Sequence, residues 1–374
     1  MSEYHLHTPA GKPRARSLGI PFDGAPGPLN AITDVAGVAV GYHTLIHGEG
    51  ALRIGEGPVR TGVTAILPRG GAGLKTACWA GVHSLNGNGE MTGYIWIQET
   101  GRQEGPITLT TTHSVGTARD ASLRWLVRQG VLPDTSWGLP VAAETYDGFL
   151  NDCNGFHVRD EHVFAALDGA REGPLEEGSV GGGTGMTLYG FKGGSGSASR
   201  VLAVAGERIT VGAFVQANFG SREQLTIAGV PVGRYLPEDL PGMSGEQGSI
   251  IGVVITDAPL LPHQLQRLAR RMGLGVGRSG AVASHGSGDI FLALSTANAA
   301  ALGDEERVQQ ARFLPESTLT PLFEAVIQAM DEAIVNALVA NETMVGRDDH
   351  RVVAMPRESV VELLRRHGRL ADGG

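Results

Sequence analysis

Glu246-Gln247-Gly248-Ser249-Ile250-Ile251-Gly252-Val253-Val254-Ile255-Thr256-Asp257 is the stretch on which the reading of this chain turns. Before it, Pro237-Glu238-Asp239-Leu240-Pro241-Gly242-Met243-Ser244-Gly245 carries the Pro, Gly and Ser chemistry of an exposed, unpaired loop. After Ser249 the β-branched residues dominate, as in a central strand covered on both faces. Two readings fit. Gly248-Ser249 is either a plain loop-to-strand junction or the site of an N-terminal nucleophile, which needs a hydroxyl on the first residue of such a strand.

Working outward, apolar strand-length runs recur with glycine between them. Residues 33–45 and 60–68 read as an early hairpin or meander, and 75–82 as a short apolar segment. Asn86-Gly87-Asn88-Gly89-Glu90-Met91-Thr92-Gly93 is a dense polar loop, a place for turns or for a site. Residues 106–112 form a strand. Residues 117–127 predict a helix with Ala121, Leu123, Leu126 and Val127 on its apolar side. The strand Leu139-Pro140-Val141-Ala142-Ala143 then runs into Glu144-Thr145-Tyr146-Asp147-Gly148, where Glu144 either caps a turn or serves a site. Residues 161–167 predict a second short helix.

Residues 200–205 and 209–218 predict a hairpin around Gly206-Glu207-Arg208, with Asn218 at a strand end. Leu265, Leu268, Ala269 and Met272 mark an amphipathic helix that starts near Pro262 and stops at Gly273. In Ser287-Gly288-Asp289 the serine and aspartate, two apart on a strand, share a face. A long helix begins at Thr320-Pro321, with Phe323, Val326, Ile327, Met330, Ile334 and Leu338 inward, and residues 358–367 form a last one. Strands and helices do not alternate regularly, so a layered α+β architecture with helices outside sheets is expected.

Composition narrows the function. With 374 residues and 41% hydrophobic content the chain buries a sizeable core, and 56 glycines beside 5% aromatics imply many tight turns. A net charge of −9 without a basic run disfavours a nucleic-acid partner. Nowhere do eighteen apolar residues run together and the first twenty hold no apolar signal core, so no membrane association and a cytoplasmic location are expected. Cys78 and Cys153 fit reduced structural thiols. His-Glu-x-x-His, Cys-x-x-Cys and Gly-x-Ser-x-Gly are absent, which removes support for metal and α/β-hydrolase chemistry; a triad led by His113, His157 or His285 has no signature. Gly178 to Met186 lacks phosphate-loop spacing and reads as a closely packed turn. Gly275-Val276-Gly277-Arg278-Ser279-Gly280 matches the dinucleotide fingerprint but follows a helix, the wrong context. Residues 1–30 read as a polar arm that drapes over other structure, such as a second subunit.

Asn86 to Gly93, Glu144 to Gly148, Gln216-Ala217-Asn218-Phe219-Gly220, Gly248-Ser249 with its strand, and Ser287-Gly288-Asp289 together resemble the DmpA family of self-processing aminopeptidases, in that family's order. That family includes L-aminopeptidase/D-alanyl esterase-amidases and β-peptidyl aminopeptidases. The resemblance implies a four-layer αββα sandwich shared with the ornithine acetyltransferase group. It implies one domain, residues 1–374, cut between Gly248 and Ser249 into 1–248 and 249–374, and an oligomer, a tetramer of cleaved heterodimers. No cofactor and no metal are expected. Ser249 would be the nucleophile, Ser287 and Asp289 its proton partners, and Asn218 and Tyr146 the oxyanion side. Glu144 would hold the free amine of a small peptide, amide or ester, with Asn86, Asn88 and Glu90 lining the substrate site. Family members carry Asp or Glu at the position of Asp289, and Asp has the shorter reach. The rivals are an acyltransferase of the ornithine acetyltransferase type, against which a serine rather than threonine nucleophile argues, and a non-catalytic nucleotide-binding protein using the glycine loops.

Overall fold

A computed structural model describes residues 2–236, 248–303 and 307–370. The loop expected at 237–247 lies outside the described residues.

The apolar runs become strands, and the strands form two sheets. In chain order the main elements are β1 Ala39–His47, β2 Val59–Leu67, β3 Cys78–Gly87, α1 Tyr94–Thr100, β4 Arg102–Gln103, β5 Ile107–Thr111, α2 Val115–Arg128, β6 Val141–Thr145, α3 Asp160–Asp168, β7 Gly194–Val204, β8 Glu207–Asn218, β9 Gly248–Thr256, α4 Pro262–Arg278, β10 Ser287–Ser295, α5 Thr320–Val339 and α6 Arg357–Arg366. One sheet has the order β1-β2-β5-β6, the other β4-β3-β10-β9-β8-β7. Neighbours are antiparallel except β5–β6 and β9–β10, which run parallel.

Side-chain alternation on β9 shows how the layers form. Ile251, Val253 and Ile255 turn to the partner sheet, where they meet Ile66, Ile107, Leu109 and Val141. Ile250 and Val254 turn the other way, onto Leu268, Met272, Met330 and Ile334 of α4 and α5. With both faces buried the strand has no polar side, which is why its sequence is a continuous apolar run. A third core puts Ala118, Ala121, Trp125, Val163 and Ala166 of α2 and α3 on the outside of the four-stranded sheet, against Val63, Ala65 and Ala142. The result is the expected helix–sheet–sheet–helix sandwich.

Two expectations need correcting. Helix α4 runs through Gly273 to Arg278, so the Gly275 to Gly280 motif lies at a helix C-terminus rather than after one. A Cβ on Gly275 would sit 2.5 Å from Cβ of Met330. The small residues there let α4 and α5 approach, and packing outweighs glycine's poor helix propensity of about 1 kcal/mol. On α2, Val127 is 59% exposed while Trp125, not assigned to the apolar side, is buried. The N-terminal arm packs on its own chain: Arg14 pairs bidentately with buried Glu177, and Arg16 and Arg200 both pair with Glu332. Residues 181–183 do form the expected close turn, buried against Thr64 and Gln216. Cys78 and Cys153 are both free and buried. No described helix is long and apolar enough to cross a membrane.

Candidate active site

The ends of several strands meet at one end of the sandwich, and Ser249 is at their centre. It is the second residue of β9, opposite Asn218, the last residue of β8, and opposite Gly288 of β10. It is only 3% exposed, yet it lines a cavity of about 430 Å³ together with Gly87, Asn88, Glu90, Thr112, Glu144 and Tyr146. Its Oγ accepts a long hydrogen bond of 3.4 Å from the backbone N–H of Tyr146.

Asn218 is buried, and its Oδ1 accepts a 2.7 Å hydrogen bond from the N–H of Thr187. That bond fixes which end of the carboxamide is which, leaving Nδ2 to donate. Gly248 packs against Asn218 and Phe219, where an added Cβ would come within 3.2 Å of Cα of Phe219. On the other side of β9, Ser287 stands beside Gly248 and Asp289 beside Ile250. The Ser287 hydroxyl donates to Oδ1 of Asp289 at 2.6 Å. Among the described residues, Oδ2 of Asp289 is buried without a hydrogen-bond partner. Burial raises the Asp289 carboxyl above the ordinary aspartate value, and the Ser287 hydrogen bond opposes that rise. The register therefore makes this pair straddle Ser249, with Ser287 beside Gly248 on its amino side and Asp289 beside Ile250 on its carboxyl side.

The facing sheet contributes Glu144 from the end of β6. Its Oε1 accepts the N–H of Glu90 at 3.1 Å and its Oε2 accepts the hydroxyl of Thr112. Burial raises the Glu144 carboxyl, Thr112 and the Glu90 amide pull it down, and the charges of Glu90 and Asp147 push it up again. A buried carboxylate at the wall of a cavity, held by two donors, is a site for a cation. Glu90 and Asn88 come from the loop that follows β3. That loop is seated through Gly89, in contact with Gly288, and through Asn88, whose Nδ2 donates to the Gly286 carbonyl at 2.8 Å.

Comparison with known proteins now bears on this geometry. The sequence profile described as peptidase family S58 matches residues 30–352. The chain belongs to peptidase family S58. This is the DmpA family, so the protein is a serine hydrolase of the N-terminal-nucleophile kind and an aminopeptidase. Of its relatives, a protein named β-peptidyl aminopeptidase BapA from Sphingosinicella microcystinivorans is 51% identical over 96% of this chain and 93% of its own. The structure of the L-aminopeptidase/D-Ala-esterase/amidase of Ochrobactrum anthropi, titled a prototype for the serine aminopeptidases and a variant of the Ntn-hydrolase fold, matches with a TM-score of 0.91 at 47% identity. It covers 96% of this chain and 100% of that one. A β-aminopeptidase from a Burkholderia species matches with a TM-score of 0.86 at 46% identity over 95% and 99%. Membership in S58 decides between the peptidase and acyltransferase expectations in favour of the peptidase.

Within this S58 fold all the predicted residues but Asn86 fall into two groups. Ser249, Gly248, Tyr146, Glu144, Glu90 and Asn88 line the cavity itself. Asn218, Ser287 and Asp289 flank the serine on its two neighbouring strands. Asn86 is not among the cavity-lining residues; its Nδ2 donates to the Ser284 carbonyl at 2.7 Å and ties the 284–286 loop to β3. Tyr146 meets Ser249 through its backbone, while its phenol lies against Gly148. Sequence reasoning missed Thr112, which holds Glu144, and Thr187, which holds Asn218. Thr112 ends the run Thr110-Thr111-Thr112 and Thr187 follows Gly185-Met186, and neither carries a spacing signal to mark it. His113, His157 and His285 are not among the lining residues.

Proposed function

We propose that this S58 enzyme cuts its own chain between Gly248 and Ser249, and then removes small N-terminal residues from peptides, amides and esters through an acyl-enzyme on Ser249. The observation that carries this reading is a buried serine at the first positions of a central strand, opening on a cavity with an amide on one side and a buried carboxylate opposite. In self-cleavage Oγ of Ser249 adds to the Gly248 carbonyl, and the C–N bond breaks to give an ester and a free α-amine. Water then hydrolyses the ester, leaving a carboxylate on Gly248 and Ser249 as a new N-terminus.

The α-amine generated on the nucleophile's own residue has a reference pKa of about 7.7–8.0, against about 10.4 for lysine. A useful fraction is neutral near pH 7, so it takes the Oγ proton during attack and returns it to the leaving amine. Ser287, beside Gly248 in the register, stands where this amine forms, and its bond to Asp289 orients it. Nδ2 of Asn218 faces the developing oxyanion, and the Tyr146 amide steadies the serine oxygen. Glu144 binds the substrate's ammonium, which restricts action to free N-termini. The chains 1–248 and 249–374 stay associated because β9 and β10 of the second are inserted between β8 and β3 of the first. A homotetramer of such heterodimers in the cytoplasm completes the proposal.

Whether α- or β-residues are preferred is a second reading with its own observation: the relatives at 51% and 47% identity both bear the name β-peptidyl aminopeptidase. A panel of L-α-, D-α- and β-aminoacyl anilides tests both, with N-acetylated controls. Release from at least one free-amine class and none from the acetylated controls is expected. Equal turnover of acetylated substrates would refute the role given to Glu144.

A further inference from the structure

We propose that Lys192 is a positioning residue for the oxyanion side of the site, acting on Asn218 through the Met186–Thr187 peptide unit. The inference rests on the reading of Asn218 as an oxyanion donor.

Lys192 is fully buried, and its Nζ donates to two backbone carbonyls, those of Met186 and Gly193, each at 2.8 Å. An ammonium in a protein interior is costly unless it is paired, so a lysine bonded to backbone carbonyls calls for a function. The Met186 carbonyl belongs to the same peptide unit as the N–H of Thr187. That N–H donates to Oδ1 of Asn218 at 2.7 Å. One planar amide therefore has a cation on its oxygen and the Asn218 carboxamide on its hydrogen. A positive charge at the carbonyl draws density toward oxygen and makes the N–H a stronger donor, and hydrogen-bond chains of this kind reinforce along their length. A stronger donor at Oδ1 in turn makes Nδ2 of Asn218 a better donor to a developing oxyanion.

The surroundings hold the lysine in this pose. Thr187 and Lys192 are ladder partners in a short hairpin whose turn is Tyr189-Gly190, both at positive φ. The N–H of Lys192 donates to the Val353 carbonyl at 2.8 Å, and Nδ2 of Asn341, just beyond α5, donates to the Lys192 and Gly193 carbonyls at 3.1 and 3.0 Å. The Gly193 N–H also donates to the Met186 carbonyl at 2.9 Å. Burial lowers the Lys192 ammonium to a pKa of about 7, with the charge of Asp147 raising it and that of Lys12 lowering it further.

A double-mutant cycle on the processed enzyme tests the proposal, using Lys192→Met, Lys192→Gln and Asn218→Ala with an aminoacyl anilide. Lys192→Met is expected to lower kcat by about tenfold at unchanged KM, less than the about hundredfold loss expected for Asn218→Ala itself. Lys192→Gln, which keeps a donor but no charge, recovers part of that loss. In the Asn218→Ala background, Lys192→Met is expected to change kcat by less than about twofold, because the residues act as one unit. Wild-type kcat in Asn218→Ala alone would refute the reading of Asn218. A large loss in Asn218→Ala with an undiminished Lys192→Met effect in both backgrounds would overturn the role of Lys192 and leave Asn218 standing. Failure of both Lys192 variants to fold would assign the lysine to folding and equally overturn the proposal.

Discussion

Replacing Gly288 with alanine adds one methyl group opposite Ser249, and its effect can be worked from the packing. Gly288 is not at positive φ, so alanine meets no backbone penalty and the effect is steric. The new Cβ would lie 2.3 Å from the Asn88 carbonyl oxygen, 2.7 Å from its carbon and 2.9 Å from Cα of Gly89. Ordinary C···O contact is about 3.3 Å, so the Asn88–Gly89 segment must retreat by about 1 Å. That segment leads into Glu90, whose N–H is 3.1 Å from Glu144, and carries the Asn88 amide, 2.8 Å from the Gly286 carbonyl. A retreat of this size takes both beyond hydrogen-bonding distance. Overpacking of this kind costs about 1–3 kcal/mol of stability, and a 1 Å misplacement costs about a hundredfold in rate. Thermal unfolding and anilide kinetics on the purified enzyme measure the two effects. A kcat/KM within twofold of wild type with an unchanged midpoint would refute the claim that Gly288 seats the substrate loop.

Glu144→Gln is expected to raise KM for free-amine substrates by about tenfold with a smaller change in kcat, since a charge-assisted contact of about 1.5–3 kcal/mol is lost. Because burial raises the Glu144 carboxyl, KM of the wild type should climb as pH falls and KM of the variant should not; parallel pH profiles would remove Glu144 from amine binding. Asp331, on α5, is raised by burial from 3.8 to about 6 despite the nearby charges of Arg278 and Arg200. A raised carboxyl lets the folded protein keep its proton between those values, and the stability so gained is lost as pH rises through about 6. Asp331→Asn should therefore stabilise the protein at pH 7.5 by about 1–3 kcal/mol and leave it unchanged below about pH 4; a lower denaturation midpoint at pH 7.5 would contradict this.

Much of the fold was legible because burial on both faces writes itself as apolar runs. The strands ending at Asn218, beginning at Gly248 with Ser249 second, and carrying Ser287 and Asp289 lie within a residue or two of where their patterns place them. What was not legible depended on partners distant in the chain. Gly273 read as a helix stop and Gly275 as part of a loop motif after it, since nothing local announces that Met330 packs against α4. Asn86 and Asn88 looked alike as loop amides, but one ties down a neighbouring loop and the other lines the cavity. Thr112, Thr187 and Lys192 act through hydrogen bonds to single atoms of Glu144, Asn218 and Met186, a relation that has no period in sequence.

The most direct test of the account is the mass of the purified protein under denaturing conditions. The account predicts two fragments of 248 and 126 residues, the second beginning with Ser249, and an intact, inactive chain for Ser249→Ala. An undivided chain with full aminopeptidase activity, or a Ser249→Ala variant that still cleaves itself, would contradict it.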